Sequence, residues 1–174
     1  MTSLRLTLAV LVLAAACRTT PIPAQPAIPI PPPLDVADAE AAIVYELARQ
    51  PLPTALAPGE HISQESLAPL AHARGLEPGM RATGWYPESL QPELILAGYL
   101  FDRHYLRAVI RFGNDQVQTS IDESQYLKQE NGRIHKVALV WMNELDRRII
   151  EAMARMADLR RASDATRQSP KAER

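Results

Sequence analysis

The hydrophobic period of this chain changes at Gly84-Trp85 from helical spacing to strand alternation, and it returns to helical spacing near Ile134. Helical segments that flank one uninterrupted set of β-rich runs define an α+β arrangement, in which a sheet with one apolar face is covered by helix. Before the change, Val36, Ala39, Ala42-Ile43 and Leu47 fall at helical steps, which predicts a helix from Asp35 to Gln50. Asp35 can cap it and Pro51 stops it. Pro51 to Glu60 holds three prolines and a glycine and reads as a loop. A second helix is expected from Ser63 to Arg74, short or kinked because Pro69 lies inside it.

Three β-rich runs follow: Glu93 to Phe101, Tyr105 to Phe112 and Gln116 to Asp122. Turn chemistry separates them, at Asp102-Arg103-His104 and at Gly113-Asn114. In the second run Leu106, Ala108, Ile110 and Phe112 share one face, while Tyr105, Arg107 and Arg111 share the other. A two-residue turn at Gly113-Asn114 would pair Ile110 with Val117 and Leu106 with Ile121, keeping a single apolar face. The first run is apolar on both faces, as expected of a central strand or of one covered on both sides. A long helix is then expected from Ile134 to Arg160, with Ile134, Val137, Trp141, Leu145, Ile149, Met153 and Met156 as its stripe. Glu144 with Arg148, and Glu151 with Arg155, are i to i+4 pairs on its solvated side. The expectation is one α+β domain over 34–161, with N-terminal helix or helices, a three-stranded antiparallel sheet and the long C-terminal helix packed on it. The polar stretch 162–174 has no period and reads as a disordered tail.

Cys17 is the sole cysteine, and it ends the run Leu13-Ala14-Ala15-Ala16-Cys17. A positive stretch, Met1 to Arg5, and an apolar segment, Leu6 to Ala16, too short to span a bilayer, precede it and read as a secretory leader over 1–16. The small residues before the cysteine resemble the lipobox of bacterial lipoproteins, with Ala14 where that pattern prefers leucine. The resemblance implies a diacylglyceryl group on Cys17 and cleavage that leaves it as an acylated N-terminus. By the same resemblance, Arg18 in place of an aspartate implies transfer to the outer membrane. The alternatives are an ordinary leader cut after Ala16 that leaves a free thiol, or an uncleaved anchor. A lipidated Cys17 leaves no thiol for a disulfide, a nucleophile or a zinc site. From 17 to 33 the prolines are dense enough to predict a polyproline II tether, reaching ~50 Å at 3.1 Å per residue. A net charge of −1 gives no global field for nucleic acid.

From Gly84 to Ile150 the chain resembles a family of small, uncharacterised lipoprotein domains of Gram-negative bacteria. The resemblance rests on Gly84-Trp85, Ile95-x-Ala97, His104, Ser124-Gln125-Tyr126-Leu127, Gly132-Arg133-Ile134-His135, Trp141 and Leu145. The chain departs from that pattern at Ala138-Leu139, where Tyr-Asn is usual. The resemblance implies helix, three strands and helix, and it implies no activity.

Four histidines are present: His61, His72, His104 and His135. His104 and His135 open elements near Asp102, Asp122 and Glu123, and could approach one another at the sheet edge. The plainer reading gives them capping and hairpin roles, since no metal-ligand spacing is present. No nucleophile elbow, phosphate loop or dinucleotide fingerprint occurs, so no catalytic residue, metal or cofactor is assigned. Trp85 and Trp141 are either core or a ligand platform. Tyr105, Arg107 and Arg111 form a solvated strand face or meet an anionic envelope partner. The expected protein is a lipoprotein on the periplasmic face of the outer membrane, held by Cys17, and a structural or protein-interaction accessory that is not an enzyme. The alternative is a binder or sensor of a small envelope ligand. A pocket lined by Tyr99, Tyr105 and Arg107 would favour the binder, and a flat exposed sheet edge would favour a module with an envelope protein partner. An enzyme would need His104 and His135 around one carboxylate in a cleft.

Overall fold

The computed structural model describes residues 19–57, 59–72 and 84–168. The leader, Cys17 and Arg18 lie outside the described residues. The element order is β1 (Thr19–Pro21), β2 (Ile28–Pro29), α1 (Val36–Leu47), α2 (Gln64–His72), β3 (Trp85–Gln91), β4 (Leu94–Phe101), β5 (His104–Phe112), β6 (Gln116–Gln125), β7 (Arg133–His135) and α3 (Lys136–Gln168).

The fold is α+β, but its main sheet has five strands in the order β2-β6-β5-β4-β3, not three, and β1 and β7 form a second sheet of two. All pairings are antiparallel. Two edge strands escape the alternation pattern for physical reasons. In β3, Pro87 and a register shift between Pro87 and Ser89 break the period, features that a sheet tolerates at an edge. In β2, Ile28 stands among prolines, yet it pairs with Val117 and is buried, and the Ile30 amide donates to Asp115 O at 2.8 Å. The proline-rich stretch over 19–30 is therefore laid along the domain and not held off it. Proline removes donors only at its own positions, and the residues between prolines remain free to pair.

The β5–β6 register also differs from the expected one. Phe112 pairs with Val117, and Ala108 with Ile121, because the turn spans from Gly113, whose amide donates to Gln116 O at 2.8 Å. The apolar face survives: the shift is by two residues, and side chains alternate with period two. A second irregularity between Arg107 and Ala108 leaves Asp122 as the extra residue on β6. β5 is the central strand, with β4 beside it between β5 and β3.

One core joins the sheet to the helices. Ile95, Ala97, Leu106, Ala108, Ile110 and Val117 are buried against Ala41, Ile43, Val44 and Leu47 of α1 and Ala138, Met142, Leu145, Ile149 and Met153 of α3. The stripe of α3 follows its predicted spacing at Leu145, Ile149, Met153 and Met156, but in the first turns Ala138 and Met142 are the buried residues, Val137 and Trp141 are only partly buried, and Ile134 belongs to β7. α3 runs antiparallel to α1, tied by Glu46 to Arg148 and Arg155 at one end and by Asp38 to Arg160 at the other. Glu144 pairs with Arg148 as expected. Glu151 instead pairs with Arg147, because Arg155 is taken by Glu46. The helix continues past Arg161 to Gln168, so 162–168 is helix and not tail. Packing outweighs the polar composition there: Ser163 donates to Leu56 O at 3.1 Å. Among the described residues, no helix is long and apolar enough to cross a membrane.

Candidate ligand cleft

At the end of the sheet where β4 turns into β5, the helix-side face is not covered by α3, which begins only at Lys136. The gap is a cleft of ≈ 530 Å³ lined by Tyr99, Phe101, Arg103, His104, Tyr126, Lys128, His135, Val137 and Trp141. His104 and His135, singled out from sequence, are brought together here. The carboxylates expected beside them are not, and among the described residues none lines the cleft.

Aromatic rings build its floor. Tyr99 stacks on Trp141, with centroids 4.4 Å apart, and meets Trp85 edge-on at 5.3 Å. The Trp85 indole N–H donates to Trp141 O at 3.1 Å, so the buried ring fixes the first turns of α3 against the sheet. Burial pushes the Tyr99 hydroxyl above its ordinary pKa, with Glu144 adding to the effect and Arg148 opposing it, so the phenol stays neutral. His135 Nδ1 accepts from the Val137 amide at 3.3 Å, a cap for α3 that places the proton of the neutral ring on Nε2.

Turn residues build the rim. Phe101 and Tyr126 are 52% and 68% exposed, and Arg103 lies 5.7 Å from the Tyr126 ring centroid. Asp102, Tyr126 and Lys128 all have positive φ, a conformation that costs a non-glycine residue energy and aims its side chain away from the strand direction. As cleft residues, sequence reasoning missed Phe101 and Val137, which the strand and helix patterns place in the fold without a site, and Arg103, Tyr126 and Lys128, which lie between elements where no period marks them. The cleft therefore combines apolar rings with two permanent cations and two imidazoles, the composition that suits an anion with an apolar body.

The remaining sequence candidates lie elsewhere. Tyr99 pairs with Leu106 and Leu100 with Tyr105, so Tyr105 and Arg107 occupy the open face, opposite the cleft. A single pocket of Tyr99, Tyr105 and Arg107 is excluded by this alternation. On the open face Glu88, the extra residue of the β3 irregularity, accepts from Tyr105 at 2.9 Å and from Tyr86 at 3.0 Å. Burial, reinforced by that carboxylate, raises both phenols above their ordinary value. Arg107 is already paired, with Asp122 at 2.6 Å and Glu123 at 2.9 Å, so its charge is used within the fold. The hydrogen bond to Asp122 is the main cause of its raised pKa. Arg111 is exposed beside Gln25, along a separate groove between the proline-rich stretch and β6.

One further cluster escaped the sequence reading. Asp35, Asp38 and His61 bring ligand atoms within 4.8 Å of one another. Asp35 caps α1 by accepting from the Asp38 amide, and Asp38 is neutralised by Arg160, so these carboxylates are occupied by the fold.

No known family model, curated protein or solved structure matches this chain.

Proposed function

We propose that this protein is a lipid-anchored accessory of the bacterial cell envelope, held through Cys17 on the periplasmic face of the outer membrane. Its working part is the Trp141 cleft, which binds a small amphiphilic anion and catalyses nothing. One observation carries the reading: the cleft sets Arg103 and Lys128 around a floor of Tyr99 and Trp141, with no carboxylate lining it among the described residues. Binding needs only this complementarity, whereas the enzyme reading needs one carboxylate held between His104 and His135, and among the described residues none lines the cleft. The residues on which the lipoprotein resemblance rests support it too, since His104, Tyr126, His135 and Trp141 all line the cleft.

The protein-interaction reading has less support. Strand addition needs a clean edge, and β3 carries Pro87 and a register shift, both of which blunt pairing.

Two measurements test the proposal. Acyl mass on Cys17 and membrane release of Cys17→Ala report the anchor; an unmodified thiol in a soluble protein rejects it. Titration with 8-anilinonaphthalene-1-sulfonate, an anionic aromatic probe, reports the cleft. Saturable one-to-one binding that Trp141→Ala abolishes supports the ligand reading, and binding unchanged in that variant rejects it.

A further inference from the structure

We propose that the rim of the cleft is a docking face for anionic phospholipid, so that the domain lies directly on the bilayer that carries its anchor. The inference rests on the lipid-anchor reading above and adds where the domain sits and what its cleft meets.

The first support is the strand β1. Thr19 pairs with His135, a residue of the cleft wall, and Arg133 Nη2 donates to Thr19 O at 2.7 Å. Thr19 and Lys128 also border one shared groove, and Lys128 lines the cleft. Cys17 is two residues before Thr19 in the chain. On the anchor reading the described chain begins at Thr19, two residues after the acylated Cys17, so the end of the domain tied to the anchor is the end that carries the cleft. A domain pinned at that point has this end nearest the bilayer.

The second support is the composition of the rim. Phe101 and Tyr126 are among the few large hydrophobic side chains exposed among the described residues, and Arg103 and Lys128 stand exposed beside them. Rings that sit at the headgroup level, flanked by cations that meet lipid phosphates, make up an interfacial contact. A soluble anion would account for the floor of the cleft, but it leaves the outward rings at positions 101 and 126 without a role.

The test uses the full chain and follows its partition between buffer and vesicles of phosphatidylglycerol or of phosphatidylcholine. Leader and anchor are common to every variant, so differences between variants report the rim. The unaltered chain should prefer phosphatidylglycerol. Arg103→Gln with Lys128→Gln should weaken partition into that lipid by roughly 25-fold, about fivefold for each cation, and leave phosphatidylcholine nearly unchanged. Phe101→Ser, an exposed position, should lower partition into both lipids with the fold intact. Equal partition into the two lipids, or no change in the glutamine pair, overturns the docking face. If that happens while the fluorescent probe still saturates the cleft, the ligand reading stands and only the docking fails. Loss of probe binding at the outset removes the ligand reading itself.

Discussion

Arg160 of α3 grips Asp38 in the first turn of α1, its Nε 2.9 Å from both carboxylate oxygens and its Nη2 on Oδ1. The two side chains are only 9% and 5% exposed. A buried pair contributes little net stability, because desolvation offsets the attraction, but breaking it strands a charge. Arg160→Leu should therefore cost about 3 to 5 kcal/mol in urea unfolding. Asp38→Leu combined with Arg160→Met should recover most of that loss. A double variant as unstable as the single one would mean that the pair itself, and not the stranded carboxylate, holds the helices together.

The elements that sequence exposes here are those whose neighbours are simple. β5 lies in the middle of the sheet with one face on the core, so Leu106, Ala108 and Ile110 alternate cleanly and the strand is legible. β3 and β2 are edges, where Pro87 and the prolines around Ile28 are tolerated for that reason, and there the period disappears. The count of three strands in place of five follows directly. The candidate site divides in the same way. His104 and His135 are legible because they open elements, and elements can be placed from periodicity. Arg103, Tyr126 and Lys128 reach the cleft from segments between elements, with positive φ at residues 102, 126 and 128, and nothing in a one-dimensional pattern marks them; Phe101 ends β4, a run apolar on both faces that gives no sign of a cleft. Arg107 looked like a free cation because Asp122, the extra residue of an irregular strand, cannot be positioned by alternation.

The two tryptophans should separate stability from binding. Trp85 is 1% exposed and anchors α3 through its indole N–H, so Trp85→Ala should cost about 3 to 5 kcal/mol. Trp141 is half-buried and stacks on Tyr99 at the cleft, so Trp141→Ala should cost clearly less while abolishing probe binding. Equal losses of stability in the two variants would place Trp141 in the core and take away the floor of the cleft.

Gly98 is the position that lets the open-face cluster close. A Cβ there would meet Glu88 Oε1 at 2.2 Å and the Tyr86 hydroxyl end at 2.6 Å. Gly98→Ala should push both side chains off the sheet at a cost of about 1 to 3 kcal/mol. Absorbance titration of the phenols gives a specific readout. Tyr86 and Tyr105 should ionise closer to the ordinary value in the variant, because burial and Glu88 no longer hold them up. An unchanged phenol titration would show that the cluster does not depend on the missing side chain.

Asp146 should impose a pH dependence of known sign. Burial raises its carboxyl above the ordinary value of 3.8, and the hydrogen bond from Thr119 Oγ1 at 2.7 Å only partly opposes this. A carboxyl raised by folding binds its proton more tightly in the native state than in the unfolded one. Its contribution to stability is therefore fully present below the unfolded value and is lost as pH rises through the folded one. Asp146→Asn keeps an oxygen to accept from Thr119 and carries no charge at any pH. The variant should gain stability relative to the parent above the folded value, and the gain should vanish on acidification to below 3.8. Urea midpoints measured across that range decide it. A variant less stable than the parent at neutral pH would mean that the ionised carboxylate is favoured in place, and that its bond to Thr119 outweighs the cost of burying the charge.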